Sequence, residues 1–310
     1  MFIFIIKGLL SKDTTSGKIT TKNYFASYKD NKWGVIDSTG NNVIDPSYKE
    51  MIVVPNSKLG VFICTYDVNY DTGDYKTKVL NDKNQEIFTQ YDKVEAIQNQ
   101  DKDGNLWYEK NVLKVQKDGK FGLIDLTGNE IIPIEYDEIS VIPEIENSFK
   151  VKKDSKYGIV DGDGKTVVQA QYADIDVLGK DNKSGYIVKD DNQKYGIVDY
   201  SDNVILQCEY DKVNQVYGND LYVVIKSGKQ ILVGKDGNEV LSLNQNYDEI
   251  TSVLKTKDAG VIVKKGKKYG VINLNGEKVI EFNYDELKET KSGIFIFKKN
   301  GKYGIIDKSG

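Results

Sequence analysis

The chain has 310 residues, 39% hydrophobic and 29% charged, with 43 basic against 47 acidic side chains and a net charge of −4. A chain of this length can bury a core without disulfide or metal staples. Every basic residue is a lysine and histidine is absent. This excludes Ser-His-Asp and Cys-His catalysis, histidine-ligated zinc and a histidine pH switch, and with them the guanidinium forks that read guanine or phosphate.

The N-terminal segment, residues 1–22, opens with MFIFIIKGLL. It lacks the basic start and small-residue cleavage site of a signal peptide. Its β-branched and aromatic run resembles Ile294-Phe295-Ile296-Phe297, which predicts a capping strand or a degenerate repeat. No run in the chain approaches the ~18–20 apolar residues of a membrane span.

Residues 23–310 read as one repeat array. Lys32-Trp33-Gly34-Val35-Ile36-Asp37 recurs at Lys120-Phe121-Gly122, Lys156-Tyr157-Gly158, Lys194-Tyr195-Gly196, Lys268-Tyr269-Gly270 and Lys302-Tyr303-Gly304. Two degenerate copies, at Thr77 and Gln230, align through their downstream turns. The aromatic position falls at 33, 77, 121, 157, 195, 230, 269 and 303. A tyrosine trails each of the first seven, at Tyr48, Tyr91, Tyr136, Tyr172, Tyr210, Tyr247 and Tyr284; aspartate follows it everywhere except at Lys49 and Ala173. The eighth copy stops at Gly310 before its tyrosine, as a fragment, a trimmed chain or an unusual cap would.

Residues 149–178 illustrate the unit. Phe149-Lys150-Val151-Lys152 alternates apolar and polar, the period of a half-buried strand. A second strand spans 156–161, a third 166–168, and 174–177 is expected as a short fourth. Asp161–Gly164 is a D-x-x-G turn, repeated at Asp37–Gly40, Asp125–Gly128 and Asp307–Gly310, with Asn273–Gly276 a close variant; aspartate bonds the local backbone and glycine accepts positive φ. The motif aromatics are expected as core or inter-repeat spacers. Each would cover the gap left by the glycine beside it, and the trailing tyrosines would pack on the next repeat. Seven or eight units of three or four antiparallel strands then stack, because one unit cannot bury both faces. Four strands in roughly 40 residues match a propeller-like ring, preferred here to an open β superhelix, which the uneven spacing also fits.

Two insertions interrupt the regularity. The first, 67–78, carries Tyr70, Asp71, Asp74 and Tyr75; the second, 99–110, carries Asp101, Asp103, Trp107 and Tyr108. These eight are the candidate interaction residues. The second insertion also begins like a calcium loop, with Asn99, Asp101, Asp103 and Asn105 as oxygen donors, but Lys110 stands where the closing glutamate belongs; a hairpin tip is preferred. Deleting 67–75 or 99–109 is expected to leave folding largely intact. Cys64 and Cys208 lack metal or redox spacing and read as ordinary strand cysteines. The basic run Lys264–Lys268 reads as a solvated hairpin, and an acidic chain without arginine makes a poor nucleic-acid binder.

The aromatic-Gly-Φ-Φ-Asp core, the turn glycine and the trailing Tyr-Asp together resemble the bacterial WG-containing (KWG) repeat, over about residues 23–310. Tryptophan occupies the motif only at Trp33. The resemblance implies an all-β repeat array and no shared catalytic residue set. The expected function is a non-enzymatic scaffold for a protein partner, with no cofactor or resident metal and with specificity in the insertions. A carbohydrate- or cell-envelope-binding module using tyrosine faces is the alternative. A hydrolase with paired carboxylates is a third, for which no pair stands out. The compartment is left open, and the Lys-, Asn-, Ile- and Tyr-rich composition fits a low-GC bacterial source.

Overall fold

A computed structural model of the protein describes residues 23–178, 185–214, 221–243, 246–255 and 260–308. The expected capping strand within residues 1–22 lies outside them, as does the end of the Asp307–Gly310 turn. Every regular element among the described residues is a β-strand, and the strands form eight antiparallel sheets of three or four. Among the described residues no sheet closes on itself, and no helix is long and apolar enough to cross a membrane. The chain divides into two compact units, residues 1–166 and 167–310, with the division inside the strand Thr166–Tyr172.

Strands follow chain order across each sheet, so a complete sheet has a leading, second, third and trailing strand. In the first unit the first sheet holds Tyr24–Lys29, Lys32–Asp37 and Asn42–Tyr48. The second holds Val61–Tyr66, Lys76–Asn81 and the two-residue Glu86–Ile87, with Val53 bridged to Ile63 in the leading position. The third is complete: Lys93–Gln100, Leu106–Lys117, Lys120–Asp125 and Glu130–Tyr136. The fourth opens with Glu138–Val141, Ser148–Lys153 and Lys156–Asp161. The second unit repeats the plan, for example in Glu249–Val253, Gly260–Lys265, Lys268–Asn273 and Lys278–Tyr284. The basic run 264–268 is a hairpin there, as expected.

Asp174–Val177 differs from expectation. It does not close the unit containing 149–168 but leads the next sheet, pairing with Tyr186–Lys189. The preceding strand ends at Tyr172, and the chain steps across at Ala173, whose N–H reaches the Lys189 carbonyl at 2.8 Å.

In the first sheet, of three strands, Trp33 lies on the second; in each complete sheet the motif position lies on the third. Its cross-strand partner is the trailing tyrosine: Trp33 faces Tyr48, Phe121 faces Tyr136, Tyr195 faces Tyr210 and Tyr269 faces Tyr284. The next pair inward is Val35 with Ile44, or Leu123 with Ile132, so three trailing-strand residues oppose one glycine. The trailing strand bulges and its backbone presses on that glycine. A Cβ would sit 2.5 Å from the Ile44 carbonyl oxygen at Gly34, 2.7 Å from that of Ile132 at Gly122, 2.5 Å from that of Leu206 at Gly196 and 2.7 Å from that of Ile280 at Gly270. The glycine therefore admits a neighbouring main chain, rather than leaving a gap for a ring to cover. At Gly304 a ring, that of Phe297, stands nearest instead. The degenerate copies lack both features. Ile231 replaces the glycine and pairs directly with Ser242, and Lys78 replaces it where the trailing strand shrinks to two residues.

The Tyr-Asp pair joins one sheet to the next. Tyr48 packs with Phe62, Cys64 and Leu80, Tyr136 with Phe149 and Val151, and the Tyr284 ring lies 4.8 Å from that of Phe297. The aspartate binds the motif lysine behind it, as in Lys120–Asp137 at 2.5 Å, Lys194–Asp211 at 2.5 Å and Lys268–Asp285 at 2.6 Å. Its other oxygen accepts a hairpin N–H of the sheet ahead, Asp154 for Asp137 at 3.0 Å and Asn300 for Asp285 at 2.8 Å. The core lies between successive sheets. Val61, Ile63 and Val79 pack on Val94, Leu113, Val115 and Ile124, each burial worth about 1.5–3 kcal/mol.

Candidate functional site

The two insertions form hairpins. The first connects Val61–Tyr66 to Lys76–Asn81. Asn69 caps its tip by accepting the N–H groups of Asp71 (3.0 Å) and Thr72 (3.3 Å), and the Thr72 hydroxyl donates to Asp74 (2.7 Å). The second insertion extends the leading and second strands of the third sheet. Asp101 accepts the N–H groups of Asp103 (2.8 Å) and Asn105 (2.9 Å) and the Asn105 amide (2.8 Å). This is the turn chemistry of the repeats themselves: Asp37 accepts from Thr39 and Asn41, and Asp125 from Thr127 and Asn129.

The four candidate calcium donors are not gathered around one point. Asp101, Asp103 and Asn105 belong to the tip, whereas Asn99 is buried and turned inward. Its amide donates to Glu109 (3.2 Å) and to the carbonyls of Ile142 (3.3 Å) and Ile145 (3.0 Å). Among the described residues no group of three or more Cys, Asp or Glu side chains could hold a metal ion. Glu109 is fully buried and also accepts the Asn147 N–H at 3.2 Å. The base of this insertion is thus part of the packing against the fourth sheet. Removing 99–109 would take away a buried polar cluster as well as a tip, contrary to the expectation of a freely removable hairpin.

A cavity of about 490 Å³ opens in the first unit. It crosses the leading positions of three successive sheets: Val53, the stretch Glu95–Gln98, and Ile139–Val141. Tyr75 from the first insertion and Tyr108 from the second line its walls. A second cavity of about 410 Å³ shares Glu50, Thr65 and Val68 with it and is walled by Tyr48, Tyr66 and Tyr70. Tyr70 is 78% exposed. Of the eight candidate interaction residues, then, Tyr70, Tyr75 and Tyr108 line cavities. Asp71, Asp74, Asp101 and Asp103 sit at the hairpin tips, and Trp107 pairs with Asn99 across the second hairpin.

Each carboxylate in the cavity is held by a tyrosine of the first insertion, Glu50 by the Tyr70 hydroxyl and Glu95 by the Tyr75 hydroxyl. Lys93 lies 3.6 Å above the Tyr75 ring and 2.9 Å from Glu95, with Lys114 at 3.3 Å. Burial pushes the Glu95 carboxyl up, but the Tyr75 hydroxyl and the two lysines outweigh it and hold the group below the usual carboxylate range. Burial and the Glu95 charge push the Tyr75 phenol up, and burial raises Tyr108. A glycosidase acid needs the reverse of the Glu95 environment, a carboxyl kept protonated near neutrality.

The sequence pointed to the tyrosines but missed Glu50, Glu95 and Lys114. A signal existed. The cavities open where copies depart from the repeat: Lys49 replaces the aspartate after Tyr48, and Lys78 replaces the motif glycine. The first change removes the aspartate that binds the motif lysine in three other copies, leaving Lys32 to line the second cavity. The second accompanies the two-residue trailing strand.

The WG containing repeat family matches residues 33–57, 121–157, 195–229 and 269–303. Over these four stretches the chain carries WG-containing repeats. Each match begins on a WG-repeat aromatic, Trp33, Phe121, Tyr195 or Tyr269, and the degenerate positions 77 and 230 begin none. No curated protein sequence matches the chain. Solved structures similar to it include that of a eukaryotic initiation factor (10% identity, 93% of this chain and 83% of that one, TM-score 0.38). BamB from Moraxella catarrhalis is another (13%, 84% and 82%, 0.30), as is a WD40 β-propeller domain of Doa1 (11%, 82% and 90%, 0.25). At these scores no activity or partner passes from them to the WG-repeat chain.

Proposed function

We propose that this WG-repeat chain is a non-enzymatic interaction scaffold that receives a protein partner in the two adjoining cavities of its first unit. The observation that carries this is the convergence of Tyr75 and Tyr108, from separate insertions, on one cavity of about 490 Å³. Rigid aromatic anchors around an apolar floor with a few charged groups are what concentrate binding energy at protein interfaces. The floor here is Val53, Ile63, Ala96 and Ile97. Repeat arrays suit such a role, because each sheet fixes the strand that presents its loop.

A photo-crosslinking residue at Leu106, 59% exposed on the second insertion, tests it in the full chain. A polypeptide adduct is expected, lost when Tyr75 and Tyr108 are both changed to alanine. Undiminished crosslinking in that double variant would refute the cavity as the binding surface. A carbohydrate ligand is favoured by one feature, the two tyrosine rings set among Gln98, Thr65 and Thr77. Glycan-array binding abolished by the same two substitutions would put that reading first.

A further inference from the structure

We infer that the partner segment received by these cavities carries a lysine or arginine, whose cationic head docks on Glu50. The inference rests on the polypeptide-binding reading above and names the chemistry of its ligand.

Two residues after each of the six later trailing tyrosines the next leading strand begins, and in four of them the side chain there is acidic. In four copies that acid faces a lysine of the second strand: Glu138 with Lys152, Asp174 with Lys189, Glu249 with Lys264 and Glu286 with Lys298. In the last, the charges meet at 2.9 Å. Each of these lysines is recognisable by its other neighbour, since it pairs across the sheet with the motif aromatic: Lys152 with Tyr157, Lys189 with Tyr195, Lys264 with Tyr269 and Lys298 with Tyr303. Glu50 follows Tyr48 by the same two residues. In its sheet the residue opposite the motif position, Thr77, is Thr65. The lysine of those four copies is here a hydroxyl.

Glu50 and Thr65 both line both cavities. Glu95, deeper in the larger one, already holds two lysines. Glu50 accepts the Tyr70 hydroxyl, and no lysine forms an ion pair with it among the described residues. Lys32 and Lys49 line the smaller cavity without bridging to it. The site therefore offers an oriented carboxylate, room where a lysine stands in the sister copies, and tyrosine rings able to flank a cation. Opposite charge brought to a partly enclosed carboxylate favours specificity as well as affinity.

The test uses the full chain and three sets of synthetic nine-residue peptides with identical apolar flanks and a central Lys, Gln or Glu, read by fluorescence anisotropy. Lys peptides should bind about tenfold more tightly than Gln peptides, and Glu peptides least. Glu50→Gln should erase the Lys preference while Gln peptides bind as before. Thr65→Lys, which restores the repeat's own cation, should abolish Lys-peptide binding with no loss of melting temperature, keeping the result distinct from misfolding. Equal binding of Lys and Gln peptides to the parent chain would overturn the inference and leave the cavity reading standing. No binding of any set would overturn both.

Discussion

Gly122→Ala tests why the repeat keeps a glycine beside its aromatic. The added Cβ would lie 2.7 Å from the Ile132 carbonyl oxygen, 2.8 Å from Ile134 Cγ1 and 3.0 Å from the Ile134 nitrogen. Two of the three are main-chain atoms. They cannot retreat freely, because the pairs Leu123–Ile132 and Phe121–Tyr136 hold the trailing strand on either side. Overpacking of this kind costs about 1–3 kcal/mol. Losing glycine's freedom in the unfolded chain returns about 0.4–1 kcal/mol. The net destabilisation is about 1–2 kcal/mol, or about 2–8 °C in melting temperature for a unit of this size. Gly304→Ala is the matched control, since the nearest atoms there belong to the Phe297 side chain, which can turn away. Thermal unfolding followed by circular dichroism should show a clear loss for Gly122→Ala and a smaller one for Gly304→Ala. Equal losses, or none at Gly122, would refute the bulge explanation.

Three further outcomes follow from the same geometry. Slight burial would raise the Asp125 carboxyl, but hydrogen bonds from Thr127 and Asn129 outweigh it and pull it to about 2. The turn's contribution is therefore full above the ordinary carboxylate range near ~4 and is lost as pH falls toward the folded value; Asp125→Ala should flatten the stability loss across that window, and an unchanged acid profile would contradict this. Burial pushes the Cys64 thiol up to about 11 despite Tyr48 and Lys78, so Ellman's reagent at neutral pH should reach it only on unfolding, and rapid native-state labelling would show the strand to be open. Glu109→Ala should cost about 1–3 kcal/mol, because the Asn147 N–H loses its acceptor while the Asn99 amide keeps the Ile142 and Ile145 carbonyls, whereas shortening the tip within Asp101–Asn105 should leave the melting temperature nearly unchanged.

Much of the fold was legible because its signals are local. An aspartate and a glycine three residues apart suffice to close a turn on their own backbone, and the turns at Asp37, Asp125 and Asp161 form as their spacing predicts. The strand sequences alternate, and the motif recurs. What stayed hidden is relational. The glycine's reason lies in a strand some ten residues downstream, and only the pairing of Trp33 with Tyr48 shows that the backbone between Ile44 and Tyr48 must bow toward Gly34. Asp174–Val177 reads as a strand, but alternation marks a strand without naming its neighbour, and it leads the next sheet rather than closing its own. Asn99 and Glu109 looked like hairpin residues. Their burial depends on the loop at 142–147, far away in sequence.

The cavities belong to the same class of information, and they show how a repeat protein acquires a site. In the regular copies nearly every polar position is answered within the array: the motif lysine by the Tyr-Asp aspartate, the leading acid by a second-strand lysine, the glycine by a bulged main chain. A copy that keeps all three has little left to offer a ligand. Around the second sheet all three are broken, by Lys49, Thr65 and Lys78. Each change is unremarkable in a linear reading, and a lysine or threonine on a strand invites no functional interpretation. Set in register against the sister copies, the three removals coincide with the space lined by Glu50, Tyr70, Tyr75 and Tyr108. Groups that the repeat would have satisfied internally are left to be satisfied by something else, so in such arrays the degenerate copies are where binding should first be sought.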